Sequence, residues 1–382
     1  MKSKFTTFII IIIMILIICV LGIFAIMLFQ EVDIIDTTAE AEDFQSTISE
    51  VTENKETVNT VEKNIQTPNV VENPLDSIKD NGTNNLKKVN YSNVSINKYF
   101  YNQLSADSQT IYKAFEANLQ NMRSGNYRIE LGDSFASILN QDNGQEELGN
   151  KYQSAFEAFN YDNPGVFYLD ANKMFLNIET TTTGNKKKYN VFIDSGNQSN
   201  YFTDEFSSKA QVDNAVSLVE QVKNQIIANK TGNTYQDIKM VHDYLLDNLE
   251  YDTSISRPHI YTIYGALINK VCVCEGYARA FKYIMDSLNI PCVMVMGEAT
   301  NSQGQRENHA WNYVQLDGRW FAIDATWDDP VVQGGGRVSN ETKYKYFLKG
   351  SSTFNQDHVP NGRFTEDGKV FTYPIISSED YN

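Results

Sequence analysis

Hydrophobic and polar positions fall into blocks of different character along the chain. Residues 8–29 form an unbroken, uncharged and almost wholly apolar run. As a helix rising about 1.5 Å per residue, such a run is long enough to cross a hydrocarbon core of about 30 Å. Lys2 and Lys4 precede it and Glu31, Asp33 and Asp36 follow it. The positive-inside rule therefore predicts a cytoplasmic N-terminus (1–7), a single membrane pass (8–29) and an extracytoplasmic remainder. The run exceeds a usual signal-peptide core and no small-x-small site closes it, which favours an uncleaved anchor over a cleaved leader. Ile18 stands before Cys19 where a lipoprotein site needs a small residue, so packing within the helix is preferred to lipidation. Residues 30–90 then turn to Glu, Asp, Thr, Asn and Val with few aromatics and no sustained period. Such a segment buries too little apolar surface to offset its ordering entropy and reads as a disordered, flexible tether.

From about Tyr91 aromatic residues become frequent, and Ile111, Phe115, Leu119 and Met122 recur at helical spacing, predicting a helix over 104–122. Three extended runs follow, 165–169, 173–178 and 189–193, with a turn at 183–186. Helical periodicity returns over 209–228, through Val212, Val216, Val219, Val222 and Ile226, and again over 235–249. These elements predict a small α+β module over 91–230, followed by a second domain over 231–382.

In that second domain Val271 and Val273 read as extended, whereas Ala278, Phe281, Met285 and Leu288 share one helical stripe. The switch places Cys274 at a helix N-terminus. Residues 308–316 alternate as a strand, Asp317-Gly318 is a strong two-residue hairpin signal, and 319–324 is the return strand. A two-residue loop pairs Leu316 with Arg319. Continuing that register sets Trp311 opposite Asp324 and His309 opposite Thr326, so His309 and Asp324 become diagonal neighbours about 7 Å apart on one face.

The 382 residues carry a net charge of −16, which disfavours nucleic acid and anionic lipid surfaces as partners. Four cysteines, Cys19, Cys272, Cys274 and Cys292, do not make a disulfide framework. Cys272-x-Cys274 lacks the spacing of a zinc site and has no second ligand pair nearby, so neither metal nor cofactor is expected. Of the four histidines, His242 lies in a predicted helix, and His259 and His358 lie beside prolines without a carboxylate at comparable strand spacing. That leaves His309.

A thiol at a helix N-terminus is biased toward thiolate by the dipole, and the neighbouring N–H groups can bind an oxyanion. An imidazole oriented by a carboxylate can hold or take the thiol proton. Cys274, His309 and Asp324 thus have the residue types of an acyl-transfer triad.

Cys-Glu-Gly-Tyr-Ala-Arg-Ala-Phe at 274–281, His-Ala-Trp-Asn-Tyr-Val at 309–314 and Trp-Phe-Ala-Ile-Asp-Ala-Thr-Trp-Asp-Asp-Pro at 320–330 resemble the transglutaminase-like superfamily in order and spacing. The resemblance covers roughly 235–350, and the segment 344–350 is similar to bacterial members. It implies an α+β, papain-like core in which a helix presents the cysteine and packs on an antiparallel sheet. By the same resemblance Cys274 is the nucleophile, His309 the acid and base, and Asp324 the orienting carboxylate. Cys272 departs from the pattern and reads as a packed strand residue in preference to a redox partner. Tyr251, Tyr277 and Trp311 are candidates for the substrate groove and equally for the core. The implied activity is attack on protein or peptide amides at the cell surface, through a thioester resolved by an amine or by water. A non-catalytic cell-envelope binding module on the same fold is the alternative.

Overall fold

The computed structural model describes residues 60–62, 98–329, 339–361 and 371–382. The expected membrane pass at 8–29 and nearly all of the expected tether lie outside the described residues. Among those described, no helix is long and apolar enough to cross a membrane.

The first sheet has the order β1-β3-β4-β2, from β1 (Thr60–Glu62), β2 (Ile129–Gly132), β3 (Phe175–Thr183) and β4 (Lys186–Asp194). β1 lies inside the stretch expected to be a tether and pairs antiparallel with β3, Val61 opposite Glu179. The β3–β4 hairpin turns at Gly184-Asn185, where Gly184 adopts φ 61°, inside the expected turn 183–186. Residues 165–169 are not the strand their composition predicts. Val166 N–H closes a turn onto the Asn163 carbonyl after Pro164-Gly165, and only Leu169 bridges, to Phe202.

Two helices pack against each other beside this sheet. α1 (Ala106–Ala117) starts on a Ser105 cap and buries Ile111 and Phe115. The longer helix expected over 104–122 breaks at Asn118 and resumes as a single turn at Leu119–Met122. α2 (Gly144–Asp162) is an element the sequence reading lacked, and it buries Leu148, Ala155, Phe156 and Phe159 on one stripe.

α3 (Lys209–Ile227) and α4 (Thr234–Asn248) begin on side-chain caps from Ser208 and Asn233. β5 (Glu250–Tyr251) pairs in parallel with β6 (Val271–Cys272), which leads directly into α5 (Cys274–Ser287). α5 packs on the second sheet, whose order is β10-β7-β8-β9: β7 (Cys292–Thr300), β8 (Arg306–Leu316), β9 (Arg319–Ile323) and β10 (His358–Pro360), all antiparallel. The β8–β9 turn is the expected Asp317-Gly318, with φ 50° and 74° at its two residues, and Leu316 faces Arg319.

The core does not divide at residue 230. Val212, Val219 and Ile226 of α3 pack in one cluster with Ile238 and Val241 of α4, Phe281 and Ile284 of α5, and Phe321 and Ile323 of β9. A second cluster joins α1, α2 and the first sheet to Ala278, Val295, Trp311 and Tyr313. A buried ion network crosses the same seam. Lys282 Nζ lies 2.9 Å from Asp286, and Asp162, buried at the end of α2, accepts the Phe100 and Tyr101 amides. Burial raises the Asp162 carboxyl to about 7, although Lys282 pulls the other way.

Candidate active site

Cys274 is the first residue of α5, and the preceding Val273 is extended and supplies no side-chain cap. Unlike α3 and α4, this helix therefore opens with first-turn amides not covered by a neighbouring side chain. The positive end of the dipole falls on the thiol. The lead-in is fixed by Val273 N–H donating to the Ile260 carbonyl at 3.0 Å and by Cys272 pairing with Tyr251. A Cβ at position 276 would lie 2.4 Å from Cys272 Cβ and 2.7 Å from the Ile260 oxygen. Gly276 thus lets the first helical turn lie directly on the strand that delivers Cys274. Cys272 and Cys292 are buried, Cys274 is partly open, and all three thiols are free. Burial, with the neighbouring Cys274 and Asp329 adding to it, pushes the Cys272 thiol well up; burial does the same to Cys292.

His309, on β8 opposite Gly297 of β7, puts Nε2 2.7 Å from Asp324 Oδ2, and the Cys274 thiol is near enough to raise the proton affinity of the ring. Three residues distant in sequence are thereby brought together. The side chains of His309 and Asp324 do meet, but the ladder ends at Ile323, so the pairs Trp311–Asp324 and His309–Thr326, and the diagonal relation built on them, do not form. A local turn and a distant carbonyl together draw Asp324 off the ladder. Asp324 leaves the strand to cap the turn after it, Oδ1 accepting from the Thr326 and Trp327 amides at 3.0 and 3.2 Å. Its own amide donates to the Tyr346 carbonyl.

Burial opposes charge on His309, yet the Asp324 carboxylate and the bonds to Asp324 and Cys274 outweigh it, so the imidazole titrates well above its ordinary range. Burial likewise opposes ionisation of Asp324, but His309 and His358 override it and hold the carboxyl well below the usual carboxylate range. An ionised Asp324 and a readily charged His309 are the states that orient and stabilise a thiolate–imidazolium pair.

His358 is the site residue that sequence reasoning set aside. It does have a carboxylate partner: its Nε2 lies 3.2 Å from Asp324 Oδ2, and it is fully buried. Its ring packs on Phe354, Trp327, Trp311 and Tyr346. The signal was absent from local spacing because β10 reaches the site from 34 residues beyond Asp324, by pairing with β7. His309, Asp324 and His358 also bring three potential metal-ligand atoms within 4.8 Å of one another. A metal held there would displace the His309–Asp324 bond, so it would compete with the thiol chemistry.

Of the groove candidates, Tyr251 is half-buried beside Cys272 and close enough to Cys274 that burial and the Cys274 charge both push its phenol up. Tyr277 is core, its hydroxyl donating to Asp329 Oδ2 at 2.6 Å. Trp311 is buried too, its ring 6.0 Å from His309, and Trp327, not among the candidates, covers His309 at 5.1 Å. Tyr277 and Trp311 therefore stand in the core rather than in an open groove, Tyr277 bonded to Asp329 and Trp311 packed on Phe354 and His358. His242, expected to be structural, is buried on α4 between Asp243 and Asp328.

A family model described as the transglutaminase-like superfamily matches residues 220–325. Mouse kyphoscoliosis peptidase is 26% identical over 160 residues, covering 37% of this chain and 23% of the relative. The human protein of the same name is 24% identical over 140 residues, covering 33% and 21%. The chain thus spans about a quarter or less of the length of these curated relatives. Among solved structures, a TGase is 14% identical with a TM-score of 0.28, covering 46% of this chain and 50% of that one. The periplasmic domain of TgpA from Pseudomonas aeruginosa is 10% identical with a TM-score of 0.22, covering 42% and 74%.

Proposed function

The chain carries a transglutaminase-like domain, and from that premise we propose that it is a thiol-dependent enzyme acting on protein or peptide amides, with Cys274 as nucleophile. One observation carries the reading: a partly open thiol at an uncapped helix start lies beside His309, which Asp324 holds at 2.7 Å.

Cys274 Sγ adds to the amide carbonyl carbon while the first-turn amides of α5 stabilise the oxyanion. The intermediate collapses as His309 gives its proton to the departing nitrogen, leaving an acyl thioester and a free amine or ammonia. A water or a primary amine then attacks the thioester and His309 takes its proton. The products are a carboxylic acid or a new amide, with the thiol restored. The name peptidase on both curated relatives favours water as the acceptor. The apolar run at 8–29 and the charges around it further support a membrane-anchored protein with this site outside the cytoplasm.

The test incubates the chain with a glutamine-containing protein and a tagged primary amine. Thiol-dependent cleavage is expected. Tag incorporation moves the reading to amine transfer. If neither occurs and iodoacetamide labels Cys274, Cys272 and Cys292 equally slowly, the domain is a binding module rather than an enzyme.

A further inference from the structure

Four acidic residues stand beside the segments that build the thiol site. Glu250 precedes Tyr251, Glu275 follows Cys274, Glu298 follows the Gly297 that pairs with His309, and Glu307 is two residues before His309. Three of them have an arginine. Arg257 lies 3.6 Å from Glu250, Arg279 2.7 Å from Glu275 and Arg306 2.7 Å from Glu298. Glu307 is exposed and has no cationic partner among the described residues.

The strand register decides on which face Glu307 lies. β7 and β8 pair without a shift from Cys292 opposite Val314 to Thr300 opposite Arg306, so alternate residues share a face. Glu307 is therefore on the face of His309, whereas Arg306 is on the other face with Glu298. Two residues of strand separate the Glu307 and His309 backbones by about 7 Å. β8 is exposed over 306–308 and buried at His309, which puts Glu307 at the rim of the site. Two tyrosines stand on the segments that deliver Cys274. Tyr251 pairs with Cys272, and the exposed Tyr261 follows Ile260, whose carbonyl accepts the Val273 amide at 3.0 Å. Burial first, then the charges of Cys274 and Glu307, push the Tyr251 phenol up, so ring, thiol and carboxylate share one neighbourhood.

We propose that Glu307 is a specificity-determining residue, the anionic wall of a subsite that takes a lysine or arginine side chain of a peptide substrate within about three residues of the attacked amide. The proposal rests on the thiol-enzyme reading above and narrows its substrate class to peptides with a basic residue near the cleaved bond. An extended peptide advances about 3.5 Å per residue, so the spacing from His309 to Glu307 corresponds to about two residues of bound substrate. A carboxylate without an internal counter-ion attracts a cation by charge, and neighbouring tyrosine faces attract the same group. The chain's net charge of −16 draws cations to the whole surface, so the decisive contrast is local, between Glu307 and the arginine-paired Glu298.

The experiment uses the full chain and three thiol reagents of one reaction type: methyl methanethiosulfonate, which is neutral, and its trimethylammonioethyl and sulfonatoethyl analogues, a cation and an anion. Rates at Cys274 are read by mass spectrometry at about 0.15 M salt, each divided by the neutral rate in the same variant. Glu307→Gln is expected to lower the preference for cation over anion by about fivefold, and Glu307→Lys to invert it. Glu298→Gln removes an equal charge from the other face and is expected to change the preference by less than about twofold. Equal shifts in Glu307→Gln and Glu298→Gln would mean that the reagents sense only the overall charge, and would overturn the proposal. A preference unmoved by Glu307→Gln overturns it too. A second arm compares kcat/KM for peptides with Lys or Gln at each position within about three residues of the cleaved amide. Wild type is expected to favour Lys by about fivefold at one position, and Glu307→Gln to lose that preference. Cleavage with no such position overturns the proposal and leaves the thiol-enzyme reading standing. If Cys274 reacts no faster than Cys272 and Cys292 and no peptide is cleaved, that reading fails and the subsite falls with it.

Discussion

Two buried histidine–aspartate pairs draw their carboxylates from one short segment, Asp324 and Asp328, and they differ in what the imidazole meets on its other side. His309 meets a partly open thiol at the start of α5. His242 meets a second carboxylate, Asp243, and lies fully enclosed against Tyr344 and Phe347. Burial opposes charge on both rings and the carboxylates raise both, so the proton affinity of the imidazole alone does not tell them apart. The carboxylates do differ. Asp324 has two imidazoles and two amides and is held far below its usual range, whereas burial, only partly offset by His242, leaves Asp328 raised to about 6. A histidine–aspartate pair thus has the parts for thiol chemistry where a cysteine stands beside it and the carboxylate stays ionised. Otherwise it is a clamp, here tying α4 to the segment after β9 through Asp328 and the Tyr346 amide.

The largest expected difference lies in replacing each histidine. His309→Ala should slow alkylation of Cys274, and any amide turnover, by about 10²- to 10⁴-fold. His242→Ala should leave the alkylation rate of the folded protein within about tenfold of wild type while lowering its stability. Equal losses of reactivity in the two variants, read by mass spectrometry of the modified peptide, would erase the distinction between site and clamp.

A smaller effect follows from the sign of the His242 titration. Its folded value is raised above its ordinary 6.5, so its contribution to stability is full below about pH 6.5 and is lost as the pH climbs through the raised value. Urea denaturation of wild type and His242→Gln should therefore differ by about 1–3 kcal/mol at pH 6 and by less in the alkaline range. A gap that widened with rising pH would mean that His242 is buried neutral, and the clamp would need another account.

How much of this was legible in the sequence follows from the reach of each signal. Cys274 at a helix start and His309 beside Asp324 were readable because a change of period and a two-residue turn fix them within a few positions. Asp324 leaving its ladder was not readable, since the Tyr346 carbonyl that draws its amide away lies 22 residues further on. His358 was missed for the same reason. Its contact with Asp324 depends on β10 adding to the far side of β7, and no pattern near position 358 reports that pairing. α2 was overlooked although Leu148, Ala155 and Phe159 share a stripe, because glycines at 144 and 149 and a run of polar residues weaken its helical pattern. Tyr277 and Trp311 could be placed in groove or core only once the packing of α5 on the sheet was known.

The smallest expected effect concerns the two thiols nearest each other in sequence. Cys272 is two residues from Cys274 but wholly buried, and its side chain touches the place where a Cβ on Gly276 would sit. It is a small packing residue under the first turn of α5, with its thiol held protonated by burial and by the Cys274 charge. Cys272→Ala removes one sulfur from a site that Gly276 already keeps narrow. The expected cost is about 1 kcal/mol of stability, with the alkylation rate of Cys274 changed less than about twofold. Cys272→Val should cost more than Cys272→Ala, because its extra branch must be accommodated against Gly276, and the strain falls on the strand that delivers Cys274. If Cys272→Ala instead slowed alkylation as much as His309→Ala, the second sulfur would belong to the reactive group, and the line between site and packing would have to be drawn one strand further back.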